Sequence, residues 1–235
     1  MITRLVAALA LVSLAMPAHA ERFGLSVTSF DRLQVNGAFT VVLTTGRGSS
    51  GYIEGHPDAI NRIAVSVTGR TLRVRRNVSN NWGGSGEGGE AVLHLTTPSL
   101  EQVTLIGSGD VSIDRMEGGR LTISLGGNGR ISVGHVETDN LALALTGAGV
   151  MEIGGHAETG RVTVQGPGTV NAPGLTVENV RISLDGPGLV EIDSSREAEV
   201  VATGTGSVTV TGDAACTDRS VNSGQVICGG TLVRR

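Results

Sequence analysis

Aromatic residues are scarce in this chain of 235 residues. Only five are present: Phe23, Phe30, Phe39, Tyr52 and Trp82. A globular β-sandwich of this size normally packs more rings into its core, and carbohydrate-active β-helix enzymes normally use rings as platforms for sugars. The shortage argues against both classes. It suits a thin interior filled by Val, Ile, Leu and Ala.

Lysine is absent, so all 18 basic residues are arginine, which we attribute to genome composition. Acidic residues number 22, and the net charge of the whole chain is −4. Nucleic-acid binding requires a basic stripe. The one basic cluster contains Arg70, Arg73, Arg75 and Arg76, and alternation on a strand places Arg73 and Arg75 on one ordinary solvated face. We therefore expect no nucleic-acid partner.

Long apolar runs are also few, and the longest spans the 12 residues of Leu5–Met16. Arg4 precedes it and Pro17–Ala20 follows it, which is the pattern of a secretory signal peptide cleaved after Ala20. An uncleaved membrane anchor is the alternative, but such a helix needs roughly 20 apolar residues. We expect residues 1–20 to be removed. The mature chain is then exported to the periplasm or the cell surface, with no transmembrane segment.

Cysteine occurs only twice, at Cys216 and Cys228. Two cysteines in an exported chain predict one disulfide, and two free thiols are the alternative. The regular repeat described next ends after Val210. We therefore expect residues 212–235 to form a C-terminal cap that is closed by this bond.

Glycine, in contrast, is abundant and periodic. Pairs of the form Gly-x-Gly recur with their first glycines 20, 20, 19, 20 and 18 residues apart. The paired glycines are Gly107, Gly109, Gly127, Gly129, Gly147, Gly149, Gly166, Gly168, Gly186, Gly188, Gly204 and Gly206. A fixed period of this size indicates a solenoid, whose repeats bury their apolar faces only by stacking. Glycine suits the corners because they need positive φ or close backbone approach.

Short runs of alternating aliphatic residues surround these corners and predict strands. The predicted fold is an all-β, single-stranded β-solenoid with coils of about 20 residues, forming one domain over residues 21–235. Helices are not expected. Leu121, Ile123, Ile131 and Val133 are expected to line one aliphatic column. Residues 77–90 are polar and glycine-rich and predict a flexible loop. Trp82 within it either folds back onto the solenoid or is an exposed contact residue.

Motifs for cofactors and catalysis are not convincing. Two Gly-x-Gly-x-x-Gly matches, at 46–51 and 84–89, have no helix to follow them, so they do not predict a dinucleotide site. Residues 126–133 resemble a calcium-binding nonapeptide, but Arg130 stands where the ligand aspartate belongs. No Gly-x-Ser-x-Gly elbow lies between a strand and a helix. We expect no catalytic residues and no cofactor.

A second corner of the coils carries the only plausible metal ligands. Aligned by coil, residues 115–117, 135–138 and 156–159 fall in register. Stacked coils are about 4.8 Å apart, so Glu117, Glu137 and Glu158 are expected to form a carboxylate ladder. His135 and His156 would complete a transition-metal set with Glu137 and Glu158. The alternative, which we adopt, is a solvated corner whose charges pair with basic neighbours, without a metal.

Several segments resemble the autotransporter adhesin head GIN domain family, a domain of unknown function. They are Phe30–Phe39, Pro98–Leu100, Leu105–Val111, the Gly-x-Gly coils and the terminal pair Cys216 and Cys228. The resemblance implies a secreted or envelope β-helix, right-handed, with no established catalytic residues. An autotransporter continues into a membrane β-barrel, and we expect none here because the sequence stops at Arg235.

The resulting functional prediction is a non-enzymatic, adhesin-like binding or structural module of the envelope. Its expected partner is an envelope protein or a polysaccharide. A carbohydrate-active β-helix enzyme and a metal-binding periplasmic protein remain the two alternatives.

Overall fold

A computed structural model of the chain describes residues 21–77, 90–221 and 224–232. The predicted signal peptide (1–20), nearly all of the predicted loop at 77–90 and Trp82 lie outside the described residues. The strands are β1 Glu21–Leu25, β2 Arg32–Asn36, β3 Thr40–Thr45, β4 Ser50–Gly55, β5 Ile63–Thr68, β6 Thr71–Arg76, β7 Ala91–Thr97, β8 Gln102–Gly107, β9 Asp110–Gly127, β10 Arg130–Gly147, β11 Val150–Gln165, β12 Thr169–Asp185, β13 Leu189–Thr203, β14 Ser207–Thr211, β15 Ala215–Asp218, β16 Val226–Cys228 and β17 Thr231–Leu232.

The strands form a β-solenoid. Strands β9 to β13 are 15 to 18 residues long, and each pairs in parallel with the next. Each of these strands bends around a corner of the coil, so that one long strand contributes to more than one face. The prediction of an all-β solenoid with coils of about 20 residues is confirmed.

Aliphatic columns fill the interior. The four residues expected to face inward, Leu121, Ile123, Ile131 and Val133, are at most 3% exposed. Each stacks on an equivalent residue in the next coil, as Ile123 does on Leu143. Burial of one such side chain contributes about 1.5–3 kcal/mol. Because stacked coils cover one another, the buried residues form one continuous core.

The Gly-x-Gly corners differ in what each glycine does. Gly127 has a φ of +113°, and a Cβ there would lie 2.4 Å from the carbonyl oxygen of Gly107. Gly129 has no positive φ, but its Cβ would lie 2.5 Å from the carbonyl oxygen of Gly109. The first glycine thus supplies a backbone conformation that L-residues avoid. The second allows two stacked corners to touch.

The N-terminal coils depart from sequence order. Strand β2 lies between β6 and β8, and β3 lies between β7 and β9, all in parallel. Antiparallel strands complete this end, with β5 on β6, β4 on β7 and β1 on β4. The ring of Phe30 is buried in the core, and the partly buried Phe39 packs against the core.

One short helix contradicts the expectation that helices are absent. Helix α1, Pro57–Ile60, begins after His56, whose Nδ1 accepts a hydrogen bond from the backbone N–H of Asp58. Proline at the first helical position is well tolerated because that position needs no backbone donor. By itself, Gly55-His56-Pro57 indicates a turn, because glycine and proline are common turn residues. The turn continues into the helix because this cap satisfies a free N–H group.

At the other end, β14 and β16 continue the parallel stack, and β17 folds back on β16. Cys216 on β15 and Cys228 on β16 form a disulfide with a Cα–Cα distance of 6.4 Å. Within the described ranges, no helix is long and apolar enough to cross a membrane.

Candidate functional site

The second corner of each coil carries charged side chains, and its first two levels stack as the sequence predicted. Arg115 lies opposite His135, and Glu117 lies opposite Glu137. Within each level the two side chains lie close together: Arg115 Nη1 lies 2.7 Å from Glu117 Oε1 in an ion pair, and His135 Nε2 lies 3.6 Å from Glu137 Oε2, which is an ion pair only when His135 is protonated. The side chains are about half exposed, so each pair contributes at most about 1 kcal/mol.

The third level does not stack as predicted. The register shifts by one residue, so Glu137 lies opposite His156 and Thr138 lies opposite Ala157. The predicted ladder of Glu117, Glu137 and Glu158 is therefore wrong at its third position. The cause is a shorter corner: two residues separate Val133 from Val136, whereas one separates Ile153 from Gly155. The interval of 19 residues between Gly147 and Gly166 is the sequence signal of this shortening.

Glycine at position 155 makes the shortened corner possible. Its φ is +123°, and a Cβ there would lie 2.1 Å from the carbonyl oxygen of Val136. Any other residue would collide with the backbone of the preceding coil. The shift consequently separates His135 from His156 along the corner.

A shallow cleft of about 450 Å³ follows this corner, lined in part by Glu117, Glu137, Asp139, His156 and Glu158. Across the part of the chain that the structure describes, no group of three or more His, Cys, Asp or Glu side chains is placed to hold a metal ion. His135, Glu137, His156 and Glu158 are neighbours at one corner, but they do not converge on one point.

A second depression, which we call the polar trough, lies on the adjacent face. It has a volume of about 540 Å³ and runs across successive coils. The outward side chains that line it stack in order from coil to coil: Ser112, Ser132, Glu152 and Asn171. Sequence analysis did not predict this depression.

Two glycines create the trough. Gly134 and Gly154 lie at its edge, where the absence of side chains leaves the backbone uncovered. A Cβ on Gly134 would lie 2.8 Å from the carbonyl oxygen of Asp114, and one on Gly154 would lie 3.0 Å from that of Gly134. The stacking of coils therefore favours glycine here, and the trough is a consequence.

Hydrogen bonds hold the centre of the trough in place. Glu152 Oε1 accepts a hydrogen bond from Arg130 Nη1 at 2.7 Å, and its Oε2 accepts one from Ser132 Oγ at 3.2 Å. Both carboxylate oxygens are thus engaged, which suits a fixed hydrogen-bond acceptor. A trough of hydroxyl, carboxylate and amide groups can recognise a polar, hydroxyl-bearing ligand.

Comparison with known proteins identifies the family. Residues 29–214 match the family described as "Putative auto-transporter adhesin, head GIN domain". The chain belongs to that family. The resemblance predicted from the sequence is confirmed over this range. No curated protein matches the chain.

Solved structures share the head GIN fold at low sequence identity. A "putative adhesin" from Bacteroides fragilis has a TM-score of 0.74 and 18% identity, covering 90% of this chain and 98% of its own. A "putative adhesin" from Parabacteroides distasonis has a TM-score of 0.70 and 17% identity, covering 89% of this chain and 96% of its own. A "putative lipid binding protein" from the same organism has a TM-score of 0.68 and 15% identity, covering 91% of this chain and 96% of its own. At this identity the likeness concerns the fold alone.

Proposed function

We propose that this head GIN domain is an exported, non-enzymatic binding module that holds an envelope polysaccharide along the polar trough. Membership of an adhesin-named family supports a binding role. The disulfide and the signal-peptide pattern at residues 1–20 support export to the periplasm or the cell surface.

The observation that carries the proposal is the repetition of polar groups along the trough. Ser112, Ser132, Glu152 and Asn171 follow one another at the spacing of stacked strands, about 4.8 Å. A polysaccharide presents hydroxyl groups at regular intervals, so a regular row of donors and acceptors can bind several sugar units at once. Protein interfaces, in contrast, are enriched in aromatic, Met and Arg side chains at their centre. None of these four stacked residues is of those types.

Filling the trough tests the proposal. Ser112→Arg and Asn171→Arg each place a long side chain at an exposed position of the trough. Ser124→Arg is the matched control, because Ser124 lies on the outward ladder of a different face, between Thr104 and Ala144. We expect the two trough variants to weaken retention of polysaccharide from the envelope fraction at least fivefold, and the control to leave it unchanged.

Two results would contradict the proposal. One is equal retention of polysaccharide by all three variants. The other is capture of an envelope protein, with no polysaccharide, through the same trough. The enzymatic alternative predicts new reducing ends after incubation with the bound polysaccharide, whereas the binding module leaves the length of the chains unchanged.

A further inference from the structure

A separate cleft lies at the N-terminal end of the solenoid, away from the polar trough. Its volume is about 550 Å³, within the range of small-molecule sites. It is bounded by the corner before β3, by α1 and β5, and by the end of β6 and start of β7. The residues that line it are Gly37, Ala38, Phe39, Thr40, Ala59, Arg62, Ile63, Arg76, Glu90 and Ala91.

The cleft exists because one corner of the stack has no Gly-x-Gly corner beneath it. Gly37–Phe39 is the first corner of the stack. The next corner lies directly against it, since a Cβ on Gly107 would lie 2.7 Å from the carbonyl oxygen of Gly37. On the opposite side, the chain leaves β6 at Arg76 and returns at Ala91 through residues 77–90. At the Gly37–Phe39 corner, Phe39 stands where later corners have their second glycine, and it lines the cleft.

The lining combines apolar walls with basic groups. Phe39, Ile63 and three alanines provide apolar surface, and Arg62 and Arg76 provide positive charge. Arg76 makes no side-chain hydrogen bond or ion pair with any described residue, whereas Arg73 on the same strand donates to Gln34 at 3.2 Å. Among the described residues that line the cleft, Glu90 is the one acid.

We propose that this cleft binds an amphiphile with a single apolar chain and an anionic headgroup, with the chain against Phe39 and Ile63 and the headgroup at Arg76. The positive charge of Arg76 is opposite in sign to the net charge of the whole chain, −4. A headgroup at the rim stays partly hydrated, which limits the cost of desolvation. The apolar chain leaves water, and this supplies about 25 cal/mol per Å² of buried apolar surface.

Calorimetric titration with monomeric decanoate tests the site in the mature protein. We expect saturable binding of one decanoate per chain, and binding of acetate too weak to detect because it has no apolar chain. Arg76→Gln should weaken decanoate binding about fivefold, as for a partly exposed ion pair of about 1 kcal/mol. Glu90→Gln should strengthen it, since it removes the opposing charge.

Arg75→Gln is the matched control, because it removes the same charge from the adjacent position of β6, and Arg75 does not line the cleft. Unchanged affinity in this variant and loss in Arg76→Gln support the proposal. Equal losses in both variants would indicate only a general electrostatic effect and would contradict it.

Phe39→Leu tests the apolar wall without emptying it. This variant should weaken the binding of decanoate and leave the melting temperature nearly unchanged. No saturable binding in the unmodified protein would overturn the proposal. Binding that emerges only in Trp82→Ala would also overturn it, because the chain's own segment would then be the occupant. These outcomes are independent of the polysaccharide test, which concerns a different face.

Discussion

Two neighbouring glycines provide a sharp test of how the corners are built. Gly126 and Gly127 are adjacent in β9, but only Gly127 has a positive φ, +113°. A Cβ on Gly127 would lie 2.4 Å from the carbonyl oxygen of Gly107, whereas a Cβ on Gly126 would have no heavy atom within 4 Å. Alanine is therefore expected to destabilise the protein at position 127 but not at position 126.

The expected magnitudes follow from these contacts. Holding an L-residue at an unfavourable φ costs about 1–3 kcal/mol, and the collision with the Gly107 carbonyl adds to it. We expect Gly127→Ala to lower the free energy of unfolding by about 3 kcal/mol. Gly126→Ala should change it little or raise it by about 0.4–1 kcal/mol, because alanine restricts the unfolded chain.

Urea unfolding followed by circular dichroism measures the difference. The midpoint of Gly127→Ala should fall well below that of the unmodified protein at similar slope, and the midpoint of Gly126→Ala should not. Equal midpoints for the two variants would refute the reasoning, since they would mean that the corner backbone is not held as the structure places it.

Three further predictions concern the cap, the core and the second corner. Cys216→Ser should lower stability by about 3 kcal/mol in the chain-entropy model and promote self-association through the freed strand edges; two reactive thiols in native protein from the periplasm would contradict it. Leu143→Ala should lower the free energy of unfolding by about 2–5 kcal/mol, because Leu143 is 2% exposed. Ala144→Ser, at the outward neighbour, should change it little. Equal costs for the two variants would contradict the assigned inward and outward faces. Dialysis with Zn²⁺ or Ca²⁺ should leave the melting temperature unchanged; a stoichiometric shift abolished by His135→Ala with His156→Ala would restore the metal hypothesis.

The architecture was accessible from the sequence because local patterns determine it. Alternating aliphatic residues mark the inward faces, as for Ile131 and Val133, and the Gly-x-Gly pairs mark one corner per coil. Both signals repeat at a fixed interval, so an error in one coil is corrected by the next. This redundancy explains why the fold could be predicted from the sequence alone.

The N-terminal topology was not accessible in this way. The insertion of β2 between β6 and β8 depends on contacts between segments far apart in the chain, and no local pattern encodes it. Strand β4, Ser50–Gly55, has no run of alternating aliphatic residues, and its glycines and polar residues resemble a turn. Its strand conformation comes from pairing with β1 and β7, which is a tertiary effect.

The candidate sites show a similar division. Sequence analysis identified the charged second corner, but a one-residue shift at Gly155 changed which side chains face each other. The polar trough and the N-terminal cleft were not predicted. Each depends on a missing side chain or a missing corner, and a depression of this kind becomes visible only when the coils are stacked.

The most direct test of the central claim, that the polar trough is the binding surface, is a backbone amide NMR titration of the mature protein with fragments of its envelope polysaccharide. The account predicts shifts concentrated along the trough at Ser112, Ser132, Glu152 and Asn171, with the fragment unchanged in length. Shifts confined to other faces, or a fragment shortened during the titration, would contradict it.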